Sequence, residues 1–323
     1  MPLTRRALIM LGAAATLAGP TLAACGSSLS GVQLRIATGG PGGVYFTLGS
    51  RLADVWQEQL GVARKVHQTN GSVDNLTQLR NNQADVGFVA ADAAASRDAA
   101  TGRPAADGLR ALARIYDDYI QVLVRDDSPI QELSDLRGRS VSIGSANSGV
   151  KVVSTNLLAV AGLPETSPDY HLDTLHESLD RLVAGQRDAL FWSGGLPTPD
   201  ITATMKDHRD QLRMLDLSTL RLKNLTYYNV ETVPATAYPQ LKQGDKPVST
   251  LAVHNLLMVR EDMPADEAQA LVRSLFDAQP DLATDRDQVV ALAAQLIDRR
   301  SAIETRPIQL HDGALEYYRS AKV

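Results

Sequence analysis

The sequence is poor in three features that define large classes of proteins: cysteine, aromatic side chains and excess positive charge. Its single cysteine, Cys25, excludes an intramolecular disulfide and a zinc site built from several thiolates. Aromatic residues make up only 5%, and 32 Lys and Arg stand against 37 Asp and Glu, for a net charge of -5. Nucleic-acid binders are typically basic or offer aromatic stacking surfaces, so no nucleic-acid partner is expected.

Long hydrophobic runs are also missing beyond the amino terminus. The body contains no uninterrupted stretch of about 18 apolar residues, so no membrane-spanning helix is predicted there. Hydrophobic residues nevertheless reach 44% and charged residues 21% of the 323 residues. These values are typical of globular proteins, and the length suits one large domain or two of ordinary size.

The amino terminus has the pattern of an export signal. Arg5 and Arg6 precede a short apolar run over 7–18, which Gly19 and the following proline end. Positive charge, a short apolar segment and small residues are typical of a secretory signal peptide, here predicted over 1–24. The paired arginines fit a twin-arginine signal as well as an ordinary secretory one.

The single cysteine lies directly after this signal, in the segment Leu22-Ala23-Ala24-Cys25-Gly26. The segment is similar to a bacterial lipobox, in which the cysteine is lipidated and becomes the new amino terminus. Ordinary cleavage that leaves a free thiol is the alternative. With lipidation, residues 25–31 form a lipidated tether, and the protein is exported and held on the outer face of the cell membrane through its lipid alone.

The body alternates strands and helices. Alternating apolar residues at 32–36 predict a first strand, and apolar residues at helical spacing from Leu48 to Trp56 predict a helix that ends near Gly61. A second strand and a second helix follow, and then a buried strand at 84–90. This βαβα order predicts an α/β fold with a parallel sheet.

A pattern in the first half of the body recurs 103 residues later. The repeated positions are Leu76, Leu79, Gln83, Asp85 and Phe88, which match Leu179, Leu182, Gln186, Asp188 and Phe191. Each set has the pattern of an amphipathic helix, a turn and a buried strand. The repeat predicts two related α/β lobes, with a chance match of common apolar residues as the alternative.

Two apolar segments are predicted to cross between these lobes. Residues 116–124 lead into the second lobe, and residues 247–259 lead back. Lobe I then comprises 32–119 and 251–323, and lobe II comprises 120–250. A ligand crevice is expected between the lobes, beside the carboxyl ends of the strands, where sheets of this kind bind ligands.

Two loops of small residues are the strongest candidates for ligand contact. Residues 38–43 (Thr-Gly-Gly-Pro-Gly-Gly) and 145–149 (Ser-Ala-Asn-Ser-Gly) each follow a predicted strand and precede a predicted helix. Glycine lets a backbone approach a ligand closely, and the free N–H groups of a helix start favour an anion. A purely structural turn, or a helix cap at Ser145 or Ser148, is the alternative.

Motifs for other chemistry are incomplete. The first loop lacks the Gly-Lys-Ser/Thr end of a phosphate-binding loop and has Tyr45 where a dinucleotide-binding loop has its third glycine. Ser148 and Lys151 form Ser-x-x-Lys, but the partner motifs of penicillin-recognising enzymes are missing. Six scattered histidines match no metal-ligand spacing. No catalytic residue, metal or cofactor is therefore predicted, and an exported enzyme is the least favoured hypothesis.

Seven short motifs between about Leu34 and Asp277 carry a family resemblance. They are Ile36-Ala37-Thr38-Gly39-Gly40, Gly43-Val44-Tyr45, Thr69-Asn70-Gly71-Ser72-Val73-Asp74-Asn75-Leu76, Ala84-Asp85-Val86-Gly87-Phe88, Leu133-Ser134-Asp135-Leu136-Arg137-Gly138, Ile143-Gly144 and Ser148-Gly149. In this order and spacing they resemble the TAXI family of extracytoplasmic solute receptors. These receptors are the binding proteins of one class of tripartite ATP-independent periplasmic (TRAP) transporters.

This resemblance implies a periplasmic-binding-protein type II fold whose two lobes close on a small-molecule carboxylate. A glutamate-like or 2-oxo acid is the leading expectation for the ligand. The implied partners are the subunits of a TRAP-type membrane permease. A ligand-sensing accessory protein for a membrane histidine kinase would use the same lobes and is the alternative. The chain is expected to act as a monomer.

Twelve candidate ligand-binding residues follow from the motifs and the resemblance. The motif positions that match the family pattern are Gly39, Tyr45, Gly71, Ser72, Asn75, Ser148 and Gly149. The others stand in the small-residue loops, after predicted strands or, for Tyr238, before the return crossing: Thr38, Asp92, Ser145, Trp192 and Tyr238. Asp92 could equally cap a helix.

Overall fold

The computed structural model describes residues 29–41, 43–97, 101–163, 167, 169–221, 225–242 and 246–322. The predicted signal peptide and Cys25 lie outside these ranges. Within them, no helix has both the length and the apolar character needed to cross a membrane.

Strands and helices alternate along most of the described chain. The strands are β1 (Gln33–Ala37), β2 (Ala63–His67), β3 (Val86–Ala90), β4 (Leu109–Arg125), β5 (Ser140–Ser142), β6 (Asp169–His171), β7 (Ala189–Gly194), β8 (Leu212–Met214), β9 (Tyr228–Val233) and β10 (Val248–Arg260). The helices are α1 (Val44–Leu60), α2 (Ser72–Arg80), α3 (Ala91–Ala95), α4 (Gly149–Val160), α5 (Leu175–Val183), α6 (Pro199–Asp207), α7 (Ala265–Leu282), α8 (Gln288–Gln295) and α9 (Asp312–Ser320).

One sheet runs through the whole molecule, in the order β2-β1-β3-β10-β4-β7-β5-β6, with β8 beside β4 and β9 beside β10. At one end β1 lies parallel between β2 and β3, and at the other β5 lies parallel between β6 and β7. Because helices connect these parallel strands, each end is an α/β unit, as the sequence predicts. We name the half with β1–β3 lobe I and the half with β5–β9 lobe II.

The two long strands β4 and β10 join the lobes. β4 pairs with β10 over 109–119 and then with β7 over 119–124, whereas β10 pairs with β9 over 248–253 and with β3 over 255–259. The segment predicted at 116–124 lies within β4, and the segment predicted at 247–259 lies within β10 except for residue 247. The exact lobe boundaries stay a prediction.

The core of lobe I is built by α1 against the carboxyl-terminal helices. Gly61 ends α1 in the left-handed conformation, with φ +74°, which glycine adopts without strain. The buried face of α1 includes Leu48, Leu52 and Trp56, and the Trp56 indole donates a hydrogen bond to the Leu271 carbonyl of α7 at 3.2 Å. The carboxyl-terminal helix α7 therefore packs against α1 of lobe I.

The sequence repeat corresponds to a repeated structural unit. Both sets form a helix, a turn and a strand, α2 with β3 and α5 with β7. Asp85 accepts a hydrogen bond from the backbone N–H of Arg35 on β1 at 2.8 Å, and Asp188 accepts one from Ser140 on β5 at 2.9 Å. The repeated aspartate thus ties each buried strand to its parallel neighbour.

Part of the predicted tether lies against lobe I. The Leu29 N–H donates to the Leu60 carbonyl at the end of α1 at 2.8 Å, and the Leu29 side chain packs on the lobe I core. The described chain is therefore attached to the lobe from residue 29 onward.

Candidate functional site

A cavity of about 400 Å³ lies between the lobes, where β1, β3, β5 and β7 end. The residues that line it come from both lobes and from β4. They are Gly39, Gly40, Pro41, Gly43, Val44, Tyr45, Thr69, Asn70, Gly71, Ser72, Ala90, Tyr116, Asp118, Gly144, Ser145, Ser148, Gly149, Val150, Asp173, Thr174, Leu175, His176, Ser178, Phe191, Trp192, Ser193, Gly194 and Asp200. Its size is that of a small-molecule site.

Four helices begin at the wall of this cavity: α1, α2, α4 and α5. Ser148 caps α4 by accepting the Lys151 N–H at 3.1 Å. The caps of α1 and α2 are Gly43 and Gly71, which supply no side chain to the first N–H groups. Helix starts carry partial positive charge and free donors, so this wall favours an anionic group.

The starts of α2 and α4 touch each other across the cavity. The Asp74 N–H donates to the Asn147 carbonyl at 3.1 Å, which links the lobes through their backbones. A Cβ added at Gly149 would lie 2.9 Å from Ser72 Oγ, so only glycine allows this approach. The structure thus has its lobes in contact around the cavity.

Tyr45 lies at the centre of a polar network inside lobe I. Its hydroxyl donates to Asn255 Oδ1 on β10 and lies 3.3 Å from Ser72 Oγ. Ser72 Oγ also accepts the Ala90 N–H at 3.0 Å. The network connects the first glycine loop, the start of α2 and the crossing strand.

Asp118 is a cavity residue that sequence reasoning missed. It lies on β4 within the crossing segment, is 6% exposed, and its Oδ1 atom is buried without a hydrogen-bond partner in the described structure. Burial raises the pKa of Asp118 to about 7. The available signal was the acidic pair 117–118 inside an apolar strand, where a charged residue is costly and often functional.

The other acidic residues of the lining are neutralised or less buried. Asp173 pairs with Arg187 at 2.9 Å and with Arg181 at 3.0 Å. Burial opposes its ionisation, but hydrogen bonds from Arg187 and Ser142 outweigh burial and lower the pKa of Asp173. Asp200 is half-buried. Among the described residues of the lining there is no lysine or arginine.

Eight of the twelve candidate residues line the cavity. They are Gly39, Tyr45, Gly71, Ser72, Ser145, Ser148, Gly149 and Trp192. Whether they contact a ligand stays a prediction. The other four, Thr38, Asn75, Asp92 and Tyr238, lie outside the lining, and the structure places their polar groups in internal hydrogen bonds.

Thr38 and Asn75 connect the loop after β1 to the ends of β2 and β3. Thr38 is fully buried and donates its hydroxyl to the His67 carbonyl at 2.7 Å. The Asn75 amide donates to the carbonyls of Thr38 and Phe88 at 2.6 and 2.7 Å. Both side chains therefore stabilise the glycine loop at 38–43 without lining the cavity.

Tyr238 is a buried residue that stabilises the cavity wall through hydrogen bonds. The Tyr238 hydroxyl donates to Gln121 Oε1 at 2.8 Å and accepts the Thr198 N–H at 2.7 Å. Thr198 Oγ1 in turn accepts from the Trp192 indole at 3.1 Å, so Tyr238 acts behind the cavity wall.

Asp92 links the two lobes. Its Oδ2 accepts the hydroxyl hydrogen bond of Tyr228 at 2.8 Å, and the same hydroxyl accepts from the Asn156 amide of α4 at 3.1 Å. Burial raises the pKa of Asp92 to about 6. Asp92 therefore contributes to the contact between lobe I and lobe II rather than to the cavity lining.

Two candidate serines have structural hydrogen bonds that substitution would remove. Ser148→Ala deletes the cap of α4 and is expected to destabilise the empty protein by about 1 kcal/mol. Ser72→Ala leaves the buried Ala90 N–H unsatisfied and is expected to cost about 1–3 kcal/mol. Urea unfolding of both variants checks this. The exposed Ser134→Ala serves as control, and unchanged stability of Ser72→Ala would contradict the assignment.

The sequence profile of the NMT1-like family matches residues 36–321, so this chain belongs to that family. Its fold is similar to the structure of a periplasmic transporter, with a TM-score of 0.54 and 13% identity over 91% of this chain and 94% of the other. It is also similar to the alkanesulfonate-binding protein SsuA from Xanthomonas axonopodis pv. citri bound to MOPS. In that comparison the TM-score is 0.51 and the identity 16%, over 91% and 92% of the chains.

A third similar structure is a Xanthomonas citri protein bound to ATP, with a TM-score of 0.51 and 15% identity over 90% and 98% of the chains. At these identities the likeness concerns the fold. The predicted periplasmic-binding-protein type II fold is therefore confirmed. The narrower resemblance to TAXI receptors stays a prediction.

Proposed function

We propose that this protein is an extracytoplasmic solute receptor that captures a small carboxylate between its lobes and delivers it to a TRAP-type membrane permease. The observation that supports carboxylate binding is the meeting of four helix starts at one cavity between the lobes. Two of these helices have glycine caps, so no capping side chain competes with a ligand carboxylate for the N–H groups that open α1 and α2.

Binding can be coupled to closure because both lobes supply parts of the same wall. Ser72 and Gly71 belong to lobe I, and Ser148 and Gly149 belong to lobe II. A ligand that contacts both sides stabilises the closed form only through the contacts added on closure. The permease would then recognise the closed form, as a sensor kinase would in the alternative role.

The proposed location follows from the amino terminus. Export by the signal at 1–24 and lipidation at Cys25 would hold the receptor on the outer face of the membrane. A receptor at this position can pass its ligand directly to a membrane partner.

Thermal denaturation of the purified protein against a panel of carboxylates tests this function. A true ligand at about 100 times its dissociation constant is expected to add roughly 2.7 kcal/mol to the free energy of unfolding. Gly149→Val should abolish the shift because its side chain would meet Ser72, while Ser134→Ala, at an exposed position outside the cavity lining, should retain it. If no carboxylate binds but the protein hydrolyses an ester or amide, the receptor proposal fails.

A further inference from the structure

Asp118 presents a buried carboxylate to the cavity without a compensating cation. Its neighbour on β4, Asp117, is paired with Arg114 at 2.8 Å, and the nearby Asp92 is bonded to Tyr228. Asp117 and Asp92 are themselves acidic, and the Arg114 and Tyr228 groups beside them are bonded to these carboxylates. None of them therefore neutralises Asp118. Hydrogen bonds from Asn255 and Ser193 lower the pKa of Asp118, but burial outweighs them, and Oδ1 is buried without a partner in the described structure. A buried anion without a paired cation is unfavourable, and a bound cationic group would relieve that cost.

The cavity is therefore polarised. Helix starts make one wall favourable for an anion, whereas Asp118 makes the crossing strand favourable for a cation. Asp173 does not compete for a cation, because Arg187 and Arg181 already pair with it. A ligand with a carboxylate and an ammonium group close together would satisfy both regions.

Aromatic rings beside Asp118 reinforce this preference. Tyr116 is buried two residues before Asp118, lines the same cavity, and lies edge-on to Tyr45 at 6.4 Å between ring centroids. The electron-rich faces of aromatic rings attract cations, most strongly where water is excluded. An ammonium group bound to the ionised Asp118 carboxylate would therefore lie in a cavity that the Tyr116 ring also lines.

We propose that Asp118 is the counterion for an ammonium group of the ligand, so that the receptor takes an α-amino acid and rejects the 2-oxo acid of the same carbon skeleton. This inference rests on the proposed carboxylate-binding function and narrows its ligand class. A 2-oxo acid would place a carbonyl oxygen, which has no proton to donate, against the Asp118 carboxylate.

Titration calorimetry at pH 8 with matched pairs tests the proposal. The pairs are the proteinogenic amino acids and their 2-oxo acids, such as glutamate with 2-oxoglutarate and leucine with 4-methyl-2-oxopentanoate. At least one amino acid is expected to bind roughly 30-fold or more tightly than its partner. Asp118→Asn should weaken that binding by a similar factor, and Asp117→Asn should not change it.

Each outcome bears on a different statement. Equal or tighter binding of the 2-oxo acids, or amino-acid affinity unchanged in Asp118→Asn, overturns the counterion role and leaves a carboxylate receptor standing. Absence of binding by every amino acid and 2-oxo acid also overturns the counterion role, whereas absence of binding by the whole carboxylate panel used for the proposed function overturns that function itself. Urea unfolding of Asp118→Asn shows that the variant is folded, so a loss of affinity reflects the site.

Discussion

The Asp118→Asn variant of the empty protein is expected to be more stable than the wild type at pH 8, by about 4 kcal/mol, and equally stable at pH 4. The pKa of this carboxyl rises from an ordinary value of 3.8 to about 7 because folding buries it. Between these values the folded state binds more protons than the unfolded state, so wild-type stability falls as the pH rises. Asparagine has a similar shape and carries no such cost.

Urea unfolding at pH 4, 6 and 8 measures this difference. The gap should open as the pH rises from about 4 and level off near pH 8, about one unit above the folded pKa, where the carboxyl is almost fully ionised. Asp117→Asn is the matched control, because Asp117 is only half-buried and is paired with Arg114. A stability difference that does not change with pH would show that the pKa of Asp118 is not raised by folding. Burial of its carboxylate would then not lower the free energy of unfolding.

Substitutions of the two tryptophans are expected to have different effects, one mainly on the stability of the fold and the other mainly on ligand binding. Trp56 is fully buried in the lobe I core, so Trp56→Ala should lower the free energy of unfolding by about 3–5 kcal/mol. Trp192 is half-buried in the cavity wall, so Trp192→Ala should cost only about 1–2 kcal/mol. The same change should weaken ligand binding about tenfold or more, because it removes an aromatic wall.

Fluorescence provides an independent readout, because the chain has only these two tryptophans. The milder Trp56→Phe variant keeps the core filled and should retain a ligand-induced change in emission, whereas Trp192→Ala should lose it. A signal that persists in Trp192→Ala would mean that the ligand does not reach this wall. A large loss of stability in the same variant would assign Trp192 to the core.

Much of the fold could be predicted because its signals are local. The glycine loop at 38–43 and the small-residue loop at 145–149 stand between an apolar strand pattern and a helix pattern, and both border the cavity. The repeated positions were also informative. Asp85 and Asp188 recur at the same place because each bonds the backbone of the neighbouring parallel strand.

The predictions for individual side chains were less complete. Thr38 and Asn75 occur within the motifs that define the cavity, yet their side chains are used to hold the loops together. Sequence position places a residue near a site, but the direction of its side chain depends on which backbone groups remain without a partner. The Asp92 carboxylate likewise accepts a hydrogen bond from Tyr228, a residue 136 positions away, and does not line the cavity.

The sequence by itself determined the α/β class, the two related units and the loops at which a ligand can approach the backbone. These properties depend on hydrophobic periodicity and on glycine, which act over a few residues. The tertiary structure alone decided that the cavity has a buried carboxylate at Asp118 and a bond from Tyr45 to Asn255, 210 residues apart. Such features arise only when β4 and β10 cross between the lobes, because burial and charge pairing depend on segments that are distant in the chain.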